Sequence, residues 1–350
     1  MRDAAVIADH EGEDALVDEA LRREDDPRGA AQAGWRRQLA RRNMTILLAA
    51  IAVFALFALT TNTFLTEFNL ANMGRNVSLI GIVAVGMTLL FVVGEIDLSV
   101  GSLLGLMTLA VGIMVVDWSV NPWLAAAVAV ALGLLLGLFA GAIRVVTNIP
   151  SFIVTLALLT AYRSLTLIIS GERPRPIDPQ GSFFDLTGGT VFHVPWLVVW
   201  MLAVMVAGGI VLERTRFGYH AYATGGNLRA ARQSGIRTDR AKLFAFAITG
   251  MLVGFAAALL FGYLHVAEPT TGTGFEFRVI GAVVVGGCAL TGGQGTVFGT
   301  LIGTLIIGMI TTGMVLLGFS QNMGDVANGA LIVGVGTIDL LLRRASRRHG

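Results

Sequence analysis

Apolar residues in this chain come in long runs rather than at the spacing of a half-buried helix or strand. Such runs occupy residues 44–60, 77–93, 100–116, 123–143, 151–169, 194–212, 243–264, 297–318 and 326–342, with Arg163 and Asp339 the charges inside them. A helix needs about 20 apolar residues, and no fewer than roughly 17, to cross a hydrocarbon core of about 30 Å. All nine runs are therefore expected to be transmembrane helices. A tenth stretch, 279–291, is shorter and ends at Gly292-Gly293-Gln294-Gly295, which suggests a re-entrant piece. Within the runs, Gly81 with Gly86, Gly101 with Gly105, Gly133 with Gly137 and Gly299 with Gly303 mark places where helix backbones can come close. The expected fold is an all-α bundle.

Composition agrees. The chain is 55% hydrophobic and only 14% charged, against about a quarter charged in soluble domains, and its mean hydropathy is +0.74. A soluble enzyme is excluded. Charge placement then chooses between nine crossings and ten. With ten crossings and the N-terminus inside, the inner segments hold 20 of the 25 Lys and Arg residues, as the positive-inside rule requires. With nine, Arg343, Arg344, Arg347 and Arg348 would lie outside. Ten spans with both termini cytoplasmic are expected. The domains are then an acidic, then basic tail (1–43), a membrane domain (44–342) and a short basic tail (343–350). Residues 1–30 carry ten acids and four arginines, and the tail is expected to be largely disordered. Its first apolar run begins at Met44, too late for a cleavable signal, so it is expected to be retained.

Several chemistries find no footing. The only lysine, Lys242, follows Arg240-Ala241, so there is no Walker A loop to cradle ATP. The five histidines are scattered and Cys288 is alone, which leaves no metal or disulfide motif. No cofactor, metal or nucleic acid is expected on this chain.

Three segments can carry function. In the 213–242 loop, Gly225 and Gly226 are expected to break the chain, Asn227 to cap a short helix from Leu228 to Ser234, and Gly235 to end it in the left-handed conformation. Ala230 and Ala231 give that helix a small-residue face, and it reads either as a docking element or as an arginine-rich loop that fixes topology. Between spans two and three lie Glu95, Asp97 and Ser99. Asp97 or Ser99 could cap span three, and the alternative is a conformational or substrate role. Arg163 is the only basic residue inside a span; it either snorkels outward or pairs with an acid in the bundle. Asn148, Pro150 and Phe152 surround a proline-led start of span five.

These segments together resemble the membrane permease subunits of ABC importers for monosaccharides of the ribose and xylose type. The resemblance rests on Val92 to Ser102, Ile149 to Leu156, Thr215 to Gly218 with Gly225 to Ile236, Pro269 to Gly274, and Gly286-Gly287 with Thr291 to Thr296. It implies a type II, vitamin B12-permease-like bundle in a bacterial inner membrane. Two permeases would pair, a separate ATPase would bind ATP and magnesium, and an extracytoplasmic binding protein would deliver sugar. It also implies that Gly225, Gly226, Asn227, Leu228, Ala230, Ala231, Ser234 and Gly235 form the helix that couples to the ATPase. Translocation or gating would then fall to Glu95, Asp97, Ser99, Asn148, Pro150, Phe152 and Arg163. Glu95 departs from the glycine common at that position in the family. The rival expectations are an ion-coupled carrier using Glu95, Asp97 and Arg163, and an ABC permease for another solute such as an amino acid or nucleoside.

Overall fold

A computed structural model describes residues 27–346 of the chain. The chain divides between Leu47 and Leu48 into two units, and the packing below is that of the second. Helices fall on all ten expected windows. Seven of them are long and apolar enough to cross a membrane among the described residues, and Met44–Thr60 adds a shorter apolar stretch. The protein is a polytopic helical membrane protein.

In chain order α1 is Pro27–Thr60, α2 Glu67–Val93 and α3 Val100–Gly112, which continues as a π turn, Ile113–Asp117. Then come α4 Pro122–Thr147, α5 Ser151–Ser170, the short α6 Ser182–Gly188 and α7 Trp196–Arg214. The 213–242 region folds as α8 Arg216–Gly226, α9 Leu228–Gln233 and the start of α10 Thr238–Leu264. The chain closes with α11 Phe275–Val285, α12 Val297–Leu316 and α13 Gln321–Ser346.

Local chemistry sets many boundaries. Thr66, Asn121 and Thr296 each accept a backbone N–H of the first turn they precede, in α2, α4 and α12. Pro122 stands at the first position of α4, where its missing N–H costs nothing. Gly94 ends α2 at φ +81°, a conformation open to glycine. The first helix starts at Pro27, well before its apolar run. Expectations for residues 1–26 and 347–350 lie outside the described residues.

Helix α2 is the axis of the bundle: 94% of its apolar window is buried, against 28% for α4, α5 and α7. The latter three leave most of their outer faces exposed. The tightest helix pair is α4 with α10, where Gly133 and Gly137 lie against the backbones of Gly250 and Gly254. Backbones approach this closely only where small residues allow it. Gly299 and Gly303 meet Gly286 and Ala282 in the same way, joining α12 to α11. A hydroxyl pair, Thr88 and Thr300 at 2.6 Å, links α2 to α12.

The two ends of the bundle differ. At one end gather the α2–α3 connector, the α4–α5 turn, α8 with α9, and the turn before α12; this end carries the arginine-rich loop. At the other, Arg175 bonds Asp117 at 2.8 Å, β1 (Arg175–Pro176) pairs antiparallel with 266–267, and Phe183 and Phe184 of α6 pack edge-on against Trp123 and each other. Between Ala267 and Phe275 the chain leaves helical form and runs back alongside α3. It passes Gly105 at Thr271 and Gly101 at Gly272. α11 is only 11 residues long, short as expected, but it runs from Phe275 and ends at Gly286 rather than at the turn from Gly292.

Candidate functional site

The basic end is organised around one carboxylate. Glu95, 3% exposed, sits in the α2–α3 connector and receives Arg144 Nε at 3.0 Å on both oxygens and Lys242 Nζ at 2.6 Å. Arg144 lies in the last turn of α4 and Lys242 in the first turns of α10, so one side chain fastens three elements. Burial alone would raise the pKa of Glu95, but its bonds to Arg144, Lys242 and Ser151 outweigh that and hold it below the ordinary carboxylate value. The connector is fixed to α5 as well: Ile96 N–H donates to Ser151 Oγ at 3.2 Å and Leu98 N–H to Thr155 Oγ1 at 3.0 Å.

Asp97 is buried beside this network and outside it. Its Oδ1 accepts the backbone N–H of Ser99 at 2.7 Å and the Ser99 hydroxyl at 2.6 Å. Ser99 itself makes no side-chain cap to α3. Capping by Ser99 is thus corrected, and Asp97 orders the turn that enters the helix. Burial raises its pKa, and the Ser99 bonds lower it by less. Tyr162 of α5 is buried, and among the described residues its hydroxyl has no hydrogen-bond partner.

Arg163 does not snorkel. Its Nη1 donates to the Thr271 carbonyl at 3.0 Å, on the non-helical stretch beside α3, and Glu276 lies against Gly101 in the same region. Backbone freed from helical bonding at membrane depth is tolerated when buried in protein and given partners, and Arg163 is that partner. Asn148 ends α4 in the left-handed conformation at φ +57°, Pro150 precedes α5, and Phe152 is exposed. None of the three joins the Glu95 network, although Ser151 between them does.

The loop 213–242 contains two helices where one was expected. Gly225 and Gly226 end α8, and the chain breaks after them at the extended Asn227, as expected; glycine is required there for a second reason as well. That reason is close approach: Gly225 rests on the Val92 carbonyl and Gly293, and Gly292 on Gly94. Gly293 N–H also donates to the Val92 carbonyl at 3.0 Å, and the Tyr222 hydroxyl to the Gly295 carbonyl at 2.6 Å. From this seat projects α9. Asn227 Oδ1 accepts Ala230 N–H at 3.0 Å. At the other end, past Ser234, Gly235 N–H bonds the Arg232 carbonyl and Ile236 N–H the Ala231 carbonyl, with Gly235 at φ +77°. That is a Schellman ending. Ala231 is buried, whereas Leu228 and Ala230 are exposed.

Sequence reasoning missed Arg144, Ser151, Thr155, Tyr162, Tyr222, Lys242 and Glu276. The single available signal was that Lys242 is the only lysine and, like Arg144, stands at the edge of an apolar run.

A buried helical axis, a broken span and a capped helix exposed at the basic end define a transport permease of the multi-helix class. Residues 69–336 match the family described as branched-chain amino acid transport system / permease component, and the chain belongs to that family. It is 37% identical over 290 residues to the ribose import permease of Escherichia coli, covering 82% of this chain and 90% of the relative. It is likewise 37% identical to the ribose import permease of Bacillus subtilis, over 77% and 84% of the two chains. The autoinducer 2 import system permease of Klebsiella pneumoniae is 33% identical over 89% and 90%.

Proposed function

We propose that this chain is the membrane permease of an ABC importer that moves a monosaccharide of the ribose or xylose type. It would cross a bacterial inner membrane ten times with both termini in the cytoplasm, adopt the type II architecture, and pair with a second copy or homologue. An extracytoplasmic binding protein would deliver the sugar, and a separate ATPase, holding ATP and magnesium, would dock on α9. The chain itself would bind no cofactor and catalyse nothing.

The observation that carries this reading is the seating of α9. A short helix in water is marginal by itself, yet this one is capped at both ends and joined through α8 to the backbone of the α2–α3 connector. That connector is in turn fastened to α4, α5 and α10 by Glu95, Ser151 and Thr155. A push on α9 therefore reaches the bundle as rigid-body motion. The ion-coupled carrier is disfavoured because its three residues do not converge. Glu95 is already neutralised by two cations, and Arg163 is turned to Thr271.

The test is uptake of labelled ribose and xylose into vesicles holding this chain with an ATPase and a binding protein, ion gradients collapsed. ATP-dependent uptake that disappears in Ala230→Trp, with unchanged membrane insertion, is the expected result. Uptake that needs an ion gradient and ignores ATP would overturn the proposal. Uptake of leucine but neither sugar would redirect it to an amino acid.

A further inference from the structure

We infer that this permease holds an anionic phospholipid in a fixed place, with its phosphate between α8 and α10 and one acyl chain between α7 and α10. Two cavities carry the inference. The first, at the basic end, is lined by Phe217 and His220 of α8 and by Gly235, Arg237, Arg240 and Phe244. No acid lines it. Among the described residues neither the Arg237 nor the Arg240 guanidinium has a hydrogen bond or ion pair, although the nearby Arg232 is bonded to Asp239. The second cavity is a groove of about 390 Å³ walled only by apolar residues, among them Val204, Gly208, Ile248, Met251 and Phe255.

The two cavities share one face of α10. Arg240, Phe244, Ile248, Met251 and Phe255 follow one another at three- and four-residue steps, which place them in one stripe. On the other wall, α7 descends from Val204 to Val211 and the chain continues into α8 at Phe217. α7 and α10 both pack on α2, and between their contact at Trp200 and Phe255 and the basic end a gap is left between them. The groove is closed at its far end by Trp200 on Phe255, an edge-to-face contact at 5.7 Å.

Length and charge specify the occupant. From Phe244 to Phe255 the helix rises about 16 Å at 1.5 Å per residue, close to half of a hydrocarbon core of about 30 Å, which is the depth of one leaflet. Arg237 and Arg240 stand where a headgroup phosphate of that leaflet lies, with Phe244, 56% exposed, at the boundary between polar and apolar lining. Basic pockets between membrane helices are suited to anionic headgroups. The site does not depend on which solute the protein carries.

The experiment compares the purified full chain with Arg237→Gln/Arg240→Gln and with Ala207→Trp, which fills the groove. Bound lipid is counted by native mass spectrometry, and thermal stability is read with added phosphatidylglycerol, phosphatidylcholine or inorganic phosphate. The wild type should retain phosphatidylglycerol and be stabilised by it more than by phosphatidylcholine. The arginine pair variant should lose that preference by roughly thirtyfold, at about 1 kcal/mol for each arginine, and Ala207→Trp should lose retention of both lipids. Equal retention of the two lipids by the wild type would overturn the proposal, as would full retention in both variants. Stabilisation by inorganic phosphate equal to that by phosphatidylglycerol would reduce the site to a free-anion pocket. Protection of the two arginines only on adding an ATPase, with no lipid retained, would assign them to a protein partner.

Discussion

Lys242, the only lysine of the chain, closes to 2.6 Å on Glu95, which is distant in sequence and shares the carboxylate with Arg144. Both members of the contact are buried. Such a pair is a poor source of net stability, but removing one member leaves an uncompensated charge and costs about 3–5 kcal/mol. Glu95→Gln should therefore lower the melting temperature sharply at neutral pH.

The same pair predicts a pH dependence. Because the folded pKa of Glu95 is depressed, its contribution is complete above the ordinary carboxylate range, about 4.3, and is lost as pH falls through the folded value. Melting curves from neutral to acid pH should show wild type and Glu95→Gln converging. A constant gap down to the acid limit would argue against the assignment.

Asp97 has the opposite sign. Its folded pKa is raised, so its contribution is full below the unfolded value and declines as pH rises through the folded one. An asparagine keeps the acceptor for Ser99 without the charge. Asp97→Asn should equal or exceed wild-type stability at neutral pH and keep most transport, whereas Asp97→Ala should lose about 1 kcal/mol, as when a capping side chain is removed. Loss of transport in the asparagine variant, at normal expression, would instead give the charge a mechanistic role.

The small-residue seam between α4 and α10 can be separated from glycine in general. A Cβ at Gly137 would strike the backbone at Phe246 and Gly250, whereas one at Gly209 meets nothing within 4 Å. Gly137→Leu should cost about 1–3 kcal/mol or prevent folding. Gly209→Ala should stabilise α7 by up to about 1 kcal/mol. Detergent melting of the two variants reads the contrast directly.

Tyr162 offers a trade of stability for function. Among the described residues its buried hydroxyl is without a hydrogen-bond partner, and an unsatisfied group of that kind costs about 1–3 kcal/mol. Tyr162→Phe should melt no lower than the wild type. If the hydroxyl meets solute during transport, uptake should fall in the same variant.

What was legible in the sequence was what depends on neighbours along the chain. The membrane runs, the Asn227 cap, the Gly235 ending and the shortness of α11 each follow from a few adjacent residues. What was hidden depends on distant segments meeting. Glu95 lacked its partners until α4 and α10 brought Arg144 and Lys242 to it, and Arg163 could be placed only once the stretch at Pro269–Thr271 left helical form beside α3. The helix end at Gly225 and Gly226 was legible, but the close approach of the Val92 and Gly293 backbones to it was hidden for the same reason. A glycine chosen so that another backbone can lie against it looks, in one dimension, like a glycine chosen to end a helix.

The meeting of Gly94, Gly225 and Gly292 is made of main chain alone; a methyl at Gly292 would come within 2.9 Å of the Gly94 Cα. Side-chain contacts loosen by degrees, one rotamer at a time, and can be retuned by modest substitutions. A joint of bare peptide has neither option. It admits no side chain at Gly225 or Gly292 unless the backbones part, so the register of these three segments is set by the main chain itself.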